Sequence, residues 1–290
     1  MTTDTGSPSS AQTPAPPLVD VPGPSALGGG WRRFADLLWL VAVTEFKRNY
    51  FGTVLGYLWS LIRPLLLFAV LLFVFTKVIR LGSGVPNYPV LLLLNIVLFT
   101  FFAEATQNAV TSVVNQESVV RKTQFPRLVI PLAVVLTTFF NLCINLLVVL
   151  AFILAWGVDP AWTWLLFFPM LALLVGFTVA VSMLLSVLYV RFRDVLMIWA
   201  VLSQVLFYGT PVIYPAEIIP SEYQRIMFAN PIAPIFEQIR VWVLDPSAPT
   251  AREIVGGGTW LLPAAGIFVA TAALAVWLFR REAPRVAEDL

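Results

Sequence analysis

Apolar residues run through this chain in long blocks. Six blocks extend for about twenty residues or more: Leu58–Ile79, Tyr88–Ser112, Leu128–Trp156, Trp162–Val190, Val195–Tyr214 and Trp260–Phe279. A hydrocarbon core about 30 Å thick is crossed by roughly 20 helical residues, so each block predicts a membrane-spanning helix. Arg63-Pro64 stands near the start of the first block. A helix starting after Pro64 would be too short, so it is expected to begin earlier, with Arg63 snorkelling towards the headgroups. Asp159-Pro160 and Arg191-Phe192-Arg193-Asp194 leave room only for tight turns. Blocks three and four, and four and five, therefore form helical hairpins.

Two further segments are apolar but cannot span. Trp31–Arg48 has only seven consecutive apolar residues at its centre, Leu37–Val43, flanked by Asp36 and Glu45. Charges at both ends predict a helix lying on the membrane surface. It is either a plain anchor or a docking element for a cytoplasmic partner. Pro215–Val243 is rich in Ile, Phe and Val, but Pro215, Pro220, Pro231 and Pro234 break it into short pieces. Two short helices dipping back into the bilayer are expected there. Broken backbone at that depth is tolerated only where protein covers it. The segment either lines a pathway or forms an inert cap. The fold class is thus an all-α polytopic membrane protein: six spans, an N-terminal interface helix (residues 31–57 with its linker) and a re-entrant helical hairpin between spans five and six.

Charge supplies the orientation. Thirteen of the 18 basic residues precede block one or open it, lie between blocks two and three or four and five, or follow block six. Basic loops stay inside, which puts both termini in the cytoplasm. Trp156, Trp162, Trp164 and Trp260 fall at expected outer ends, and Trp59, Trp199 and Trp277 at inner ends, as an aromatic belt would have them. Residues 1–30 contain Pro, Ser, Thr and Gly in abundance and no basic residue. They are expected to be a disordered tail, and they lack the charged start of a signal peptide. The membrane domain is then residues 58–290.

Composition narrows the chemistry. The chain has no histidine, which removes Ser-His-Asp catalysis and the commonest metal ligand. Its single cysteine, Cys143, lies in apolar sequence and has no partner for an intrachain disulfide. None of the 16 glycines is followed by lysine, so there is no Walker A loop. Glu104 is the only acid well inside a predicted span. A charge there costs about 2.5–3.5 kcal/mol on insertion scales, so it faces the bundle, a wet cavity or a partner. It is either structural, paired with a cation or with Gln107 or Asn108, or part of a path. Gly52 and Gly56 form a weak GxxxG helix-contact pattern. The stretch Asn115–Arg127 is a basic island between two spans, and Glu117–Lys122 within it reads as a short helix stopped before Pro126.

At this point the chain resembles a family. TEFKRNYFGTVLGYLWSLIRPL (44–65), FFAEA (101–105), VVRKTQFPRLVIPL (119–132), LYVRFRDV (188–195), FYGTPVIYP (207–215) and NPIAPIFEQIR (230–240) occur in the order found in the membrane subunits of type-two ABC polysaccharide exporters. That family includes the O-antigen, teichoic-acid and galactan exporters. The resemblance implies a homodimeric permease in the bacterial cytoplasmic membrane, paired with two copies of a separate ABC ATPase that binds Mg-ATP. It implies no cofactor in this chain, no enzymatic activity, no metal and no nucleic acid. Glu117, Arg121, Lys122, Phe125 and Arg127 would form the coupling helix against that ATPase, with Arg191, Arg193 and Asp194 as a second contact. Tyr214–Val243 would be the periplasmic gate helices. The Pro-rich tail before Trp31 departs from the pattern.

The implied function is export of a lipid-linked polysaccharide. Sugar faces stack on aromatic rings, which makes Trp59, Phe99, Phe102, Tyr208 and Tyr214, with Glu104, candidate pathway residues; each ring is equally a candidate for the core or the lipid. A permease for a small lipid or drug is the alternative within the class. A proton-coupled carrier is the alternative outside it, and would be expected to place more acids in the membrane.

Overall fold

The computed structural model describes residues 30–50, 56–80, 84–116 and 128–282. The Pro-rich tail, Gly52, the stretch holding Glu117, Arg121, Lys122, Phe125 and Arg127, and the chain after Glu282 lie outside the described residues. The described residues form α-helices α1 (Gly30–Tyr50), α2 (Gly56–Phe73), α3 (Tyr88–Asn115), α4 (Val129–Ala155), α5 (Phe167–Arg191), α6 (Val195–Gly209), α7 (Ser221–Met227), α8 (Ile232–Val243), α9 (Ala251–Ile254) and α10 (Leu262–Glu282). There is no strand among them. Five helical segments are long and apolar enough to cross a membrane: Leu58–Val78, Tyr88–Asn115, Val129–Ala155, Trp162–Arg191 and Gly258–Arg281. The fifth expected block is helical only over Val195–Gly209, because the chain turns at Thr210-Pro211.

Helix α3 is the axis of the bundle and packs against α2, α4, α5 and α6. Its residues from Val90 to Phe99 are all buried, and apart from Asn95 this stretch is apolar all round, as a segment enclosed by other helices must be. Helix α1 packs along α4, and α10 along α5. The outer helices keep apolar faces outward, with Leu66, Leu67, Val70 and Phe73 on α2 and Leu262, Ile267 and Val269 on α10. Such faces are stable against lipid. Pro64 lies inside α2, as its position near the start of that block predicts. Gly157, at φ +86°, ends α4. Its N–H reaches the Leu154 carbonyl at 3.1 Å and the next N–H reaches Ile153 at 3.3 Å, a glycine helix stop.

The broken segment is covered by α3. Asn95 Nδ2 donates to the Pro211 carbonyl at 3.0 Å and Tyr88 Oη to that of Ile213 at 2.7 Å. Asn230 Nδ2 donates to Thr210 Oγ1 at 2.8 Å. Polar groups from α3 thus satisfy carbonyls that α6 would have used had it continued, which is what apolar surroundings demand. One tryptophan departs from the belt: Trp199 is buried in the bundle. Its ring packs edge-on to Phe102 and its Nε1 donates to Thr106 Oγ1 at 3.0 Å. A ring with one polar atom is stable in a core when that atom finds a partner.

Candidate functional site

Polar residues recur on α3 at Glu104, Gln107, Asn108, Thr111 and Asn115, a spacing of three and four that aligns them on one face. Thr137, Thr138, Asn141 and Asn145 repeat this on α4. The two stripes meet at an open cavity of about 890 Å³, bordered also by Glu45 and Arg48 of α1, Arg63 of α2 and Ala200 and Ser203 of α6. No aromatic ring lines it among the described residues. It carries two arginines and two glutamates, paired as Arg63 Nη1 with Glu104 Oε1 at 3.0 Å and Arg48 Nη2 with Glu45 Oε2 at 2.6 Å. The cavity is therefore polar and close to neutral, set among helices whose other faces are apolar.

Arg63 Nη1 donates to Glu104 Oε1 across two helices at 3.0 Å while its side chain stays 74% exposed. A recess of about 20 Å³ opens beside the cavity, bounded by Glu104, Thr138, Asn141 and Asn145. The Asn141 Oδ1 atom is buried with no hydrogen-bond partner.

Of the expected pathway residues, Glu104 alone lines this cavity. Phe99 and Phe102 are inside the core, packed against Phe207 and against Phe177 and Trp199. Trp59 is 62% exposed on α2. Tyr208 is exposed on α6, and its carbonyl accepts from Tyr214 Oη at 2.6 Å. Arg191, Arg193 and Asp194 form the exposed turn between α5 and α6, with Arg193 over the Tyr189 ring at 5.1 Å. The polar stripes on α3 and α4 carry the site, and only their helical spacing in the sequence gives them away.

A second polar centre lies in the segment between α6 and α10. Arg240 Nη1 donates to Glu237 Oε1 at 2.9 Å and pairs with the Glu217 carboxylate, 3.1 Å from its Oε1, and Nη2 lies 3.9 Å from Asp245 Oδ2. Arg240 and Glu237 are 4% and 2% exposed. Burial pushes the Glu237 carboxyl up to about 7; Arg240 opposes this, and the neighbouring Glu217 charge adds to it. The guanidinium ties α8 to the short turn Ala216–Ile218 and to the loop after α8.

A bundle of apolar helices around a polar, nearly neutral cavity is the architecture of a membrane permease. The chain belongs to the ABC-2 type transporter family, whose sequence model matches residues 36–244. It is 33% identical over 199 residues to the O-antigen export system permease protein RfbA of Klebsiella pneumoniae, covering 68% of this chain and 76% of that one. It is 28% identical over 252 residues to the protein of the same name in Myxococcus xanthus, covering 86% and 94%.

Proposed function

We propose that this chain is the permease subunit of an ATP-driven exporter that carries a lipid-linked polysaccharide across the bacterial cytoplasmic membrane. The observation that carries the reading is the 890 Å³ cavity: wide, polar and charge-balanced between apolar helices. A hydrated, largely uncharged polymer needs such a path, and the names of the relatives agree with it. Two permease copies work with two copies of a separate ATPase that binds Mg-ATP, a reading supported by the family resemblance and consistent with the lack of a Walker A loop in this chain. Both termini face the cytoplasm, following the basic loops. Glu117, Arg121, Lys122, Phe125 and Arg127 then couple to the ATPase, with Arg191, Arg193 and Asp194 beside them. Trp59, Tyr208 and Tyr214 lie along or beside the path.

Glu104 is the only acid in the five spans and is already paired, which argues against proton coupling. The test is reconstitution of the chain with its ATPase. ATP-dependent movement of lipid-linked glycan is expected, and Arg121→Glu with Lys122→Glu abolishes it while the chain still reaches the membrane. Transport driven by a proton gradient without the ATPase refutes the reading, and a small lipid as the only cargo refutes the polysaccharide.

A further inference from the structure

We infer that the groove between α5, α8 and α10 is a binding site for one anionic glycerophospholipid, drawn from the leaflet in which α5 and α10 begin; that this is the outer leaflet rests on the orientation given above.

The groove has a volume of about 410 Å³. Its lining is mostly hydrocarbon: Met170 and Leu173 of α5, Ile235 of α8, and Ala264, Ala265 and Phe268 of α10. The short side chains of Ala264 and Ala265 leave the hollow between Leu261 and Phe268. From Leu261 to Phe268 the groove follows the first turns of α10, about 10 Å at 1.5 Å per residue. That is about a third of a hydrocarbon core 30 Å thick, so it lies where lipid chains join their headgroups.

Two polar side chains interrupt this lining. Gln238 and Trp242 stand one turn apart on the same face of α8, half-buried and both on the groove. Thr163 Oγ1 donates to the Trp242 carbonyl at 2.6 Å, which puts that end of α8 beside the start of the span Trp162–Arg191. Neither the Gln238 amide nor the Trp242 Nε1 has a hydrogen-bond partner among the described residues. Hydrocarbon alone would leave these donors unsatisfied, so what fills the groove must bring acceptors to them.

Charge marks the mouth. Arg225 of α7 lies over the Trp260 ring at 4.1 Å, next in sequence to Leu261 of the lining. Arg252 of α9 follows Ala251, another lining residue. Both arginines are exposed, and neither forms a salt bridge among the described residues. Glu222, on the same short helix as Arg225, is not paired with it. Glu253, beside Arg252, is turned to Thr250, whose N–H and Oγ1 donate to its Oε2 at 2.7 and 3.0 Å. The site thus offers cation, then hydrogen-bond donors, then hydrocarbon. A glycerophospholipid carries the matching order of phosphate, ester carbonyls and acyl chains, and a phosphate suits the guanidinium fork. A free fatty acid or a polyprenyl phosphate has hydrocarbon directly beneath its charged group and offers Gln238 no acceptor.

The test titrates the purified full-length chain in detergent with dioleoylphosphatidylglycerol and counts bound lipid by native mass spectrometry. The same lipid with a photoreactive acyl chain maps the site in membranes. One lipid per chain is expected, with cross-links in residues 170–173 and 261–268. Gln238→Leu should weaken binding about fivefold, the effect of one lost neutral hydrogen bond. Arg225→Gln should weaken it about tenfold or more, since a charge-assisted bond is stronger. Ala265→Leu fills the hollow at an exposed position, touches neither donor and should displace the lipid. Wild-type binding by any of the three, or cross-links spread evenly over the outward faces of α2 and α10, overturns the inference and leaves only annular lipid. Cross-links from this face to another copy of the chain overturn it in favour of a subunit interface. A polyprenyl phosphate that displaces the phosphatidylglycerol at equal concentration overturns the choice of lipid. The leaflet is read separately, from Thr259→Cys in a Cys143→Ser chain exposed to an impermeant maleimide in intact cells. Labelling only after the cells are opened refutes the orientation and moves the site to the inner leaflet, with the lipid assignment unaffected.

Discussion

Replacing Glu237 by Gln isolates one buried charge whose effect on the fold depends on pH. The Glu237 carboxyl is 2% exposed, and burial raises it to about 7 from an ordinary value of 4.5. The folded state therefore holds this proton more tightly than the unfolded chain. Between pH 4.5 and 7 the folded state binds more protons, so stability falls as pH rises through that window and levels off above it. A rise of about 2.5 pH units corresponds to roughly 3 kcal/mol. Gln keeps an oxygen for the Arg240 guanidinium but never ionises, so its contribution is flat across the window. Glu217 and Asp245 titrate in both proteins, so the quantity to read is the difference between the two pH curves. Amide hydrogen exchange over Ile232–Val243, corrected for intrinsic rates, measures local opening directly. The wild-type protein is expected to lose about a hundredfold in protection relative to Glu237→Gln between pH 4.5 and 8. Parallel curves would refute the reasoning. Arg240→Met is the companion variant: it leaves carboxylates buried without their cation and should cost about 3–5 kcal/mol near neutral pH.

Two further changes probe the packing around the cavity. A double-mutant cycle on Arg63→Ala and Glu104→Ala, read by denaturant unfolding, should give a coupling of only about 0.2–1 kcal/mol, because the side chains are 74% and 34% exposed and solvent screens them. A coupling above about 3 kcal/mol would mean that the pair is a buried lock. Trp199→Phe keeps the contact with Phe102 but removes the donor to Thr106, and should lower stability by about 0.5–1.5 kcal/mol. An unchanged unfolding midpoint would show that this hydrogen bond adds nothing.

The spans were legible because crossing a bilayer imposes length and apolarity, and both are written in composition. Pro64 within α2 and the turn at Arg191–Asp194 follow from the same logic. Side-chain direction was not legible by those means. Phe99, Phe102 and Trp199 look no different in sequence from rings that face lipid, yet the close approach of α3, α5 and α6 buries them. Arg63 reads as a headgroup anchor until Glu104, 41 positions later, is seen beside it. The cavity itself was available from the spacing of Glu104, Gln107, Asn108 and Thr111, since a polar stripe on an apolar helix needs water or a partner. The charged centre at Glu237 and Arg240 was also available as an i, i+3 pair, but its third and fourth members come from other elements.

Burial is unevenly distributed around the cavity. Its α3 wall belongs to the most buried helix of the bundle, pinned at its other end by Tyr88 and Asn95 to the broken segment. The α4 wall is held between α3, α1 and α5. The other two sides are lighter. Along α2 most residues are not buried, and on α6 Trp199 alone is. Few buried apolar contacts mean a low cost of displacement. Gln107, Asn108, Thr138 and Asn141 thus sit on the closely packed side. Arg63, which pairs with Glu104, sits on the lighter side. A shift of α2 away from α3 would separate that pair while leaving the α3–α4 contact in place.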